Sequence, residues 1–135
     1  MVLTIGTFDV FHEGHLNLLR RCRKLAGDGK VIVGVNSDDF CRTYKPMIAQ
    51  SYGYRHRAVA NCGYVDEALP NVDAGKNLIR QVRPDWLVIG SDWAARDYLA
   101  QIDVTEEWLA ERGIDLLYTP YTTGISSTLV RALRG

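Results

Sequence analysis

Val2-Leu3-Thr4-Ile5-Gly6-Thr7-Phe8-Asp9-Val10-Phe11-His12-Glu13-Gly14-His15 is the stretch on which the fold turns. Val2 to Phe8 is an apolar and β-branched run of strand length, and from Gly14 to Ala26 the residues Leu18, Leu19, Cys22, Leu25 and Ala26 recur at helical spacing. A strand that feeds a helix through a short loop is the first half of a parallel crossover unit. The loop then lies beyond the carboxyl end of the strand, the edge at which open α/β sheets bind their ligands.

The same rhythm continues outward. Val31 to Val35 (VIVGV) hardly alternates, which is how a strand covered on both faces reads, and Asn36-Ser37-Asp38 offers helix caps directly after it. A helix near Arg55 to Cys62 precedes a strand at Tyr64 to Leu69, and a helix at Gly75 to Val82 precedes a strand at Trp86 to Ile89, with Pro70 and Pro84 as punctuation. A helical stretch at Val104 to Arg112 is stopped by Gly113, then come a strand at Ile114 to Thr119 and a last helix starting near Ser126. Five strands alternating with helices predict an α/β fold: a three-layer, doubly wound, Rossmann-like parallel sheet.

With 135 residues, 47% of them hydrophobic and 24% charged, the chain reads as one domain spanning 1–135 with a real core. Sixteen basic residues balance sixteen acidic ones, so no global field recruits nucleic acid or an anionic membrane. The longest apolar run, around Trp86 to Gly90, is far short of the ~18 residues of a membrane span, and Met1 to His15 has no basic segment ahead of an apolar one. A cytoplasmic location is expected. Three cysteines, Cys22, Cys41 and Cys62, widely spaced and without a CxxC, support neither a disulfide framework nor a zinc knuckle.

His12 sits just before the first helix and His15 in its first turn. Both imidazoles can face the space where unpaired backbone N–H groups and the positive end of the helix dipole favour phosphate. The plainer alternative is a pair of solvated loop histidines or a helix cap. Zinc is the weaker reading, since HExxH needs its histidines four apart whereas here they stand three apart with no third ligand nearby. GxxxxGK[ST] is absent, and so is GxGxxG after the first strand.

Ser126, Ser127 and Thr128 gather hydroxyls and N–H groups at a predicted helix start, with Gly124 allowing close backbone approach. An over-provided N-cap is the alternative there. Asp92 follows a predicted strand and so belongs at the ligand edge or caps the next helix. Lys45 lies in a polar loop where a lysine can act as a point charge for phosphate, or simply be solvated, and Lys76 is a similar case.

The stretch from Gly6 to Leu25 resembles the first unit of the cytidylyltransferase-like nucleotidyltransferases, a family with an HxGH motif, and most of all their glycerol-3-phosphate members. Further matches run along nearly the whole chain: Asn36 to Phe40, Tyr52 to Arg55 on the family's YxxR, Tyr64 to Glu67 on its YVDE, Gly90 to Trp93 on its GxDW, and Thr122 to Thr128 on its RTEGISTT. Three departures stand out. Tyr121 replaces the arginine of that last motif and Thr123 its acidic residue; no tryptophan follows the YVDE strand within Asn71 to Gly75; and the segment from Ala94 to Tyr121 is longer and holds an extra helix.

The resemblance implies transfer of CMP from CTP to a small phosphorylated alcohol such as glycerol 3-phosphate, with release of pyrophosphate. An adenylyltransferase of the same fold, or a non-catalytic nucleotide-binding domain, are the alternatives. Implied catalytic residues are His12, His15, Lys45 and Arg55, for which a surface helix arginine is the plain alternative. Implied nucleotide contacts are Gly6, Thr7, Phe8, Asp9, Gly14, Asp92, Trp93, Thr122, Gly124, Ile125, Ser126, Ser127 and Thr128. Lys45 and Lys76 are the implied acceptor contacts. No protein metal cage is expected, Mg²⁺ being bound mainly through nucleotide phosphates and water, and the resemblance implies a homodimer.

Overall fold

A computed structural model of the chain describes residues 1–43, 47–90, 99 and 102–119. Five parallel strands, β1 (Val2–Gly6), β2 (Val31–Asn36), β3 (Glu67–Asn71), β4 (Trp86–Gly90) and β5 (Asp115–Thr119), lie in the order β3-β2-β1-β4-β5. Val2 pairs with Val31 on one side and with Trp86 on the other. The chain therefore winds from β1 outward to β3 and returns past β1 to β4. The strand order reverses between β1 and β4, the place where open α/β sheets bind their ligands. The expected doubly wound α/β sheet is the one observed.

The helices are α1 (Glu13–Ala26), α2 (Asp38–Arg42), α3 (Tyr52–Ala60), α4 (Lys76–Val82) and α5 (Glu106–Glu111). Two apolar cores occupy the two faces of the sheet. Leu3, Ile5, Ile32, Leu87 and Ile89 pack with Leu78, Ile79 and Leu109 on the face covered by α4 and α5. Val2, Val31, Val33, Val35 and Val88 pack with Leu18, Leu19, Cys22 and Val59 of α1 and α3 on the other. That double coverage is why the strands look continuously apolar in sequence. Gly34 is a glycine because Leu78 closes on it: an added Cβ would lie 2.5 Å from Leu78 Cδ2.

Several boundaries differ from the sequence reading, three of them for reasons the structure shows. β1 ends at Gly6 rather than Phe8, because Phe8 and Val10 adopt left-handed backbone at φ 55° and 49° and turn the chain out of the sheet. α3 begins at Tyr52 rather than near Arg55. β3 runs from Glu67 to Asn71 rather than from Tyr64 to Leu69, and Pro70 pairs with Val35 inside it. As an edge strand, β3 has an open side on which a missing N–H costs no ladder bond. Its entry is set by Asp66, whose Oδ2 accepts from Val31 N at 2.7 Å and Arg23 Nη1 at 2.8 Å. The YVDE stretch thus joins α1, β2 and β3 at the end of the sheet opposite the ligand edge. No helix among the described residues is long and apolar enough to cross a membrane.

Candidate active site

His12 is the N-cap of α1 and His15 is its third helical residue. His12 Nδ1 accepts from Gly14 N at 3.0 Å, and the His12 side chain also receives the backbone N–H of His15; in return His15 Nδ1 accepts from His12 N at 3.2 Å. This is a capping box built from two imidazoles. It corrects the expectation that bare backbone N–H groups at the helix start would face phosphate, since those of His12, Gly14 and His15 are already bonded to the rings. The helix cap, the plainer alternative in the sequence, is therefore observed. With Nδ1 accepting in each ring, a neutral imidazole carries its proton on Nε2, and the tautomer follows from the backbone donors. The rings stack at 3.9 Å between centroids and 21°. Burial holds the His12 pKa below its usual value, keeping the ring neutral near pH 7. Its Nε2 is buried and has no hydrogen-bond partner among the described residues.

The rest of the turn supports this pair. Phe8, 4% exposed, sets its ring edge-on to His15 at 5.4 Å, and Phe11 lies 5.5 Å from the same imidazole. Gly6 leaves room for Phe8, whose Cε2 would lie 3.1 Å from an added Cβ. Thr7 is buried at the end of β1, where its Oγ1 accepts from Asn36 Nδ2 at 3.4 Å. Asp9 is 1% exposed, and its two oxygens accept the backbone N–H groups of Ala49 and Gln50 at 2.9 and 3.0 Å.

Arg55 is no surface helix arginine. It is fully buried; Nε donates to Gln50 O at 3.0 Å, Nη1 to both Thr7 O and Asn36 O at 2.8 Å, and Nη2 to Asp38 Oδ1 at 2.7 Å. Four of the five guanidinium N–H donors are used by the chain itself. The expected phosphate charge is therefore a bracket that ties the ends of β1 and β2 to the start of α3. Lys76, the first residue of α4, lies with its Nζ 5.5 Å from the centre of the Trp108 ring on α5, a ring shared with Arg80 and Arg112.

Asn36 and Asn71 were not legible as site residues. Each ends its strand, and Asn71 Nδ2 donates to Asn36 Oδ1 at 2.9 Å and to Asp73 O at 2.8 Å. The available signal was a polar residue directly after an apolar strand. The third histidine, His56, bonds Ala68 O at 2.9 Å and so ties α3 to β3. No group of three or more His, Cys, Asp or Glu that could hold a metal occurs among the described residues. Lys45, Asp92, Trp93, Thr122, Gly124, Ile125, Ser126, Ser127 and Thr128, with the expected last helix, lie outside the described residues.

The doubly wound parallel sheet thus carries the His12–His15 pair directly after β1, beside its switch point. The family model described as cytidylyltransferase-like matches residues 3–133, and the chain belongs to that family. It is 33% identical over 132 residues to a glycerol-3-phosphate cytidylyltransferase of Bacillus spizizenii, covering 96% of this chain and 93% of that protein. It is also 33% identical over 138 residues to an FAD synthase of Korarchaeum cryptofilum, covering 96% and 88%. Among solved structures, a protein of unknown function from Archaeoglobus fulgidus matches over 93% of each chain with a TM-score of 0.71 at 22% identity, a likeness of fold.

Proposed function

We propose that the protein transfers CMP from CTP to a small phosphorylated alcohol such as glycerol 3-phosphate and releases pyrophosphate. The observation that carries this reading is the imidazole capping box beside the switch point of the sheet, in which Nδ1 of each ring accepts a backbone N–H and the proton of a neutral ring stands on Nε2. A phosphate monoester is already largely dianionic at pH 7, its second pKa being about 6, so its oxygen can attack the α-phosphorus of CTP without a general base. The P–O bond to the pyrophosphate then breaks with its electron pair. His12 and His15 donate to the nucleotide phosphates as charge moves onto the leaving group, an electrostatic role that needs no covalent intermediate.

Lys45 and Lys76 are the proposed acceptor contacts, and the 122–128 segment with Asp92 and Trp93 the proposed nucleotide contacts. Mg²⁺ is the proposed cofactor; it would be held mainly by phosphate oxygens and water, neutralising their charge. We further propose a homodimer, from the family resemblance, and the cytoplasmic location that the sequence leads one to expect.

The FAD synthase relative supports a second reading, an adenylyltransferase of the same fold, because FAD contains an adenine nucleotide. Tyr121 offers a stacking face and one hydroxyl where the family resemblance expects an arginine. Stacking tolerates any base, so the preference for CTP over ATP should be modest. The test supplies Mg²⁺, CTP and ATP at equal concentration and a panel of phosphorylated alcohols while pyrophosphate is followed. A CDP-alcohol as main product is expected. An ADP-linked product moves the protein to the second reading, and no turnover across the panel overturns both.

A further inference from the structure

We propose that Asp9 is a positioning residue: its carboxylate docks the α3 end of the connection between α2 and α3 onto the turn that carries His12, keeping acceptor-side and nucleotide-side groups in one register. The proposal rests on the function proposed above, because Lys45, the acceptor-side lysine, belongs to that connection.

Asp9 is 1% exposed, and Oδ2 and Oδ1 take the N–H groups of two consecutive residues, Ala49 and Gln50, at 2.9 and 3.0 Å. Those partners lie 40 and 41 residues away in sequence, so the contact joins segments that no local structure would bring together. The other side of the same loop is held too: Gln50 O accepts from Arg55 Nε at 3.0 Å, and the Nη1 of that arginine grips Thr7 O, two residues before Asp9. The Gln50 residue is thus clamped at its N–H and at its carbonyl by groups belonging to, or bonded to, the exit of β1.

The turn is built around this contact. Phe8 and Val10 flank Asp9 in left-handed backbone at φ 55° and 49°, and for a β-branched residue such as Val10 that conformation persists only where the surroundings over-determine it. His12 follows Asp9 by three residues and caps α1 from the same turn. A carboxylate whose two oxygens both accept backbone N–H groups gives direction as well as attachment. Asparagine can supply only one of these acceptors, and its NH₂ would face the other N–H.

The experiment compares the protein with Asp9→Asn and, as a control of plain stability, Val59→Ala, which opens a cavity in the core beneath α3. Amide exchange of Ala49 and Gln50 is followed by NMR, and KM is measured separately for CTP and for the acceptor. In Asp9→Asn the two amides should exchange at least ~10-fold faster, and the acceptor KM should rise ~10–100-fold with the CTP KM within ~3-fold, the scale set by misplacing a substrate-side group by about an ångström. A rise in the CTP KM alone would make Asp9 a nucleotide contact and overturn the proposal. Equal losses for both substrates, following melting temperature as in Val59→Ala, would reduce it to a fold contact, and unchanged amide exchange would remove the docking itself. Wild-type protein inactive with every acceptor would sink the functional reading, while amide exchange would still decide whether Asp9 docks the connection.

Discussion

The backbone N–H of His12 donates to Nδ1 of His15 at 3.2 Å while the two rings stack at 3.9 Å, so each histidine helps to hold the other in place. The helix start is capped from within the motif, and its positive end is passed outward through the imidazoles to their Nε2 protons. One structural device therefore sets tautomer, orientation and electrostatics together.

Removing His15 should act on stability and on catalysis at once. His15→Ala deletes the acceptor for His12 N, a cap contact of about 1 kcal/mol, which for a domain of this size corresponds to a drop in Tm of ~3–5 °C. Loss of a preorganised donor should lower kcat by ~10²–10³. Thermal melts and steady-state kinetics on one preparation check both. Wild-type turnover in a protein with lowered Tm would leave His15 only its capping role.

The pH dependence of stability follows from His12. Burial depresses its folded pKa below the unfolded value near 6.5. Between those two values the unfolded chain binds more protons, so stability rises with pH through that window and is lost as pH falls from about 6.5 toward the folded pKa. NMR titration of the ring should give a midpoint below 6.5, with nitrogen shifts of an Nε2–H tautomer at neutral pH. A midpoint above 6.5 would contradict both the burial and the role as a neutral donor.

Arg55→Met should be among the most damaging single changes. It removes four hydrogen bonds and leaves Asp38, 30% exposed, without its cation. The expected loss is about 3 kcal/mol in denaturant unfolding, the low end for breaking a buried ion pair because Asp38 keeps contact with water. Burial raises the Asp38 pKa, but the Arg55 hydrogen bond and the Tyr52 backbone N–H outweigh it and hold it below the usual carboxylate range. That stabilisation is present above about pH 4 and is lost as pH falls through the folded pKa. In Arg55→Met this acid limb should shrink. A variant as stable as the wild type would show that the bracket contributes nothing.

Alkylation should separate the cysteines. Cys22 and Cys41 are fully buried and Cys62 is partly exposed. Burial pushes the Cys22 thiol up to about 12, which removes its thiolate at neutral pH. Iodoacetamide at pH 8 should modify Cys62 alone in the native protein and all three cysteines in denaturant, as mass spectrometry of the peptides would show. Native modification of Cys22 would mean that α1 opens from the sheet.

Much of this architecture is present in local pattern. The unalternating run Val31 to Val35, the helical spacing of Leu18, Leu19 and Cys22, and the placement of His12 and His15 between strand and helix are short-range features, and short-range sterics and burial determine them. They suffice for a doubly wound sheet and for a histidine-bearing turn at its edge. Other outcomes depend on contacts between residues far apart in the chain. Pro70 can sit in β3 because that strand lies at an edge, a fact of topology. The family resemblance implies Arg55 and Asp9 as site residues, and burial adds a demand that sequence does not show: a buried charge must find partners within the chain, so their hydrogen bonds go to backbone at the ends of β1 and β2 and at the entry to α3. Sequence thus determined which residues stand at the carboxyl edge of the sheet after β1 and β2, and tertiary structure decided that Asp9 and Arg55 hold the backbone there together.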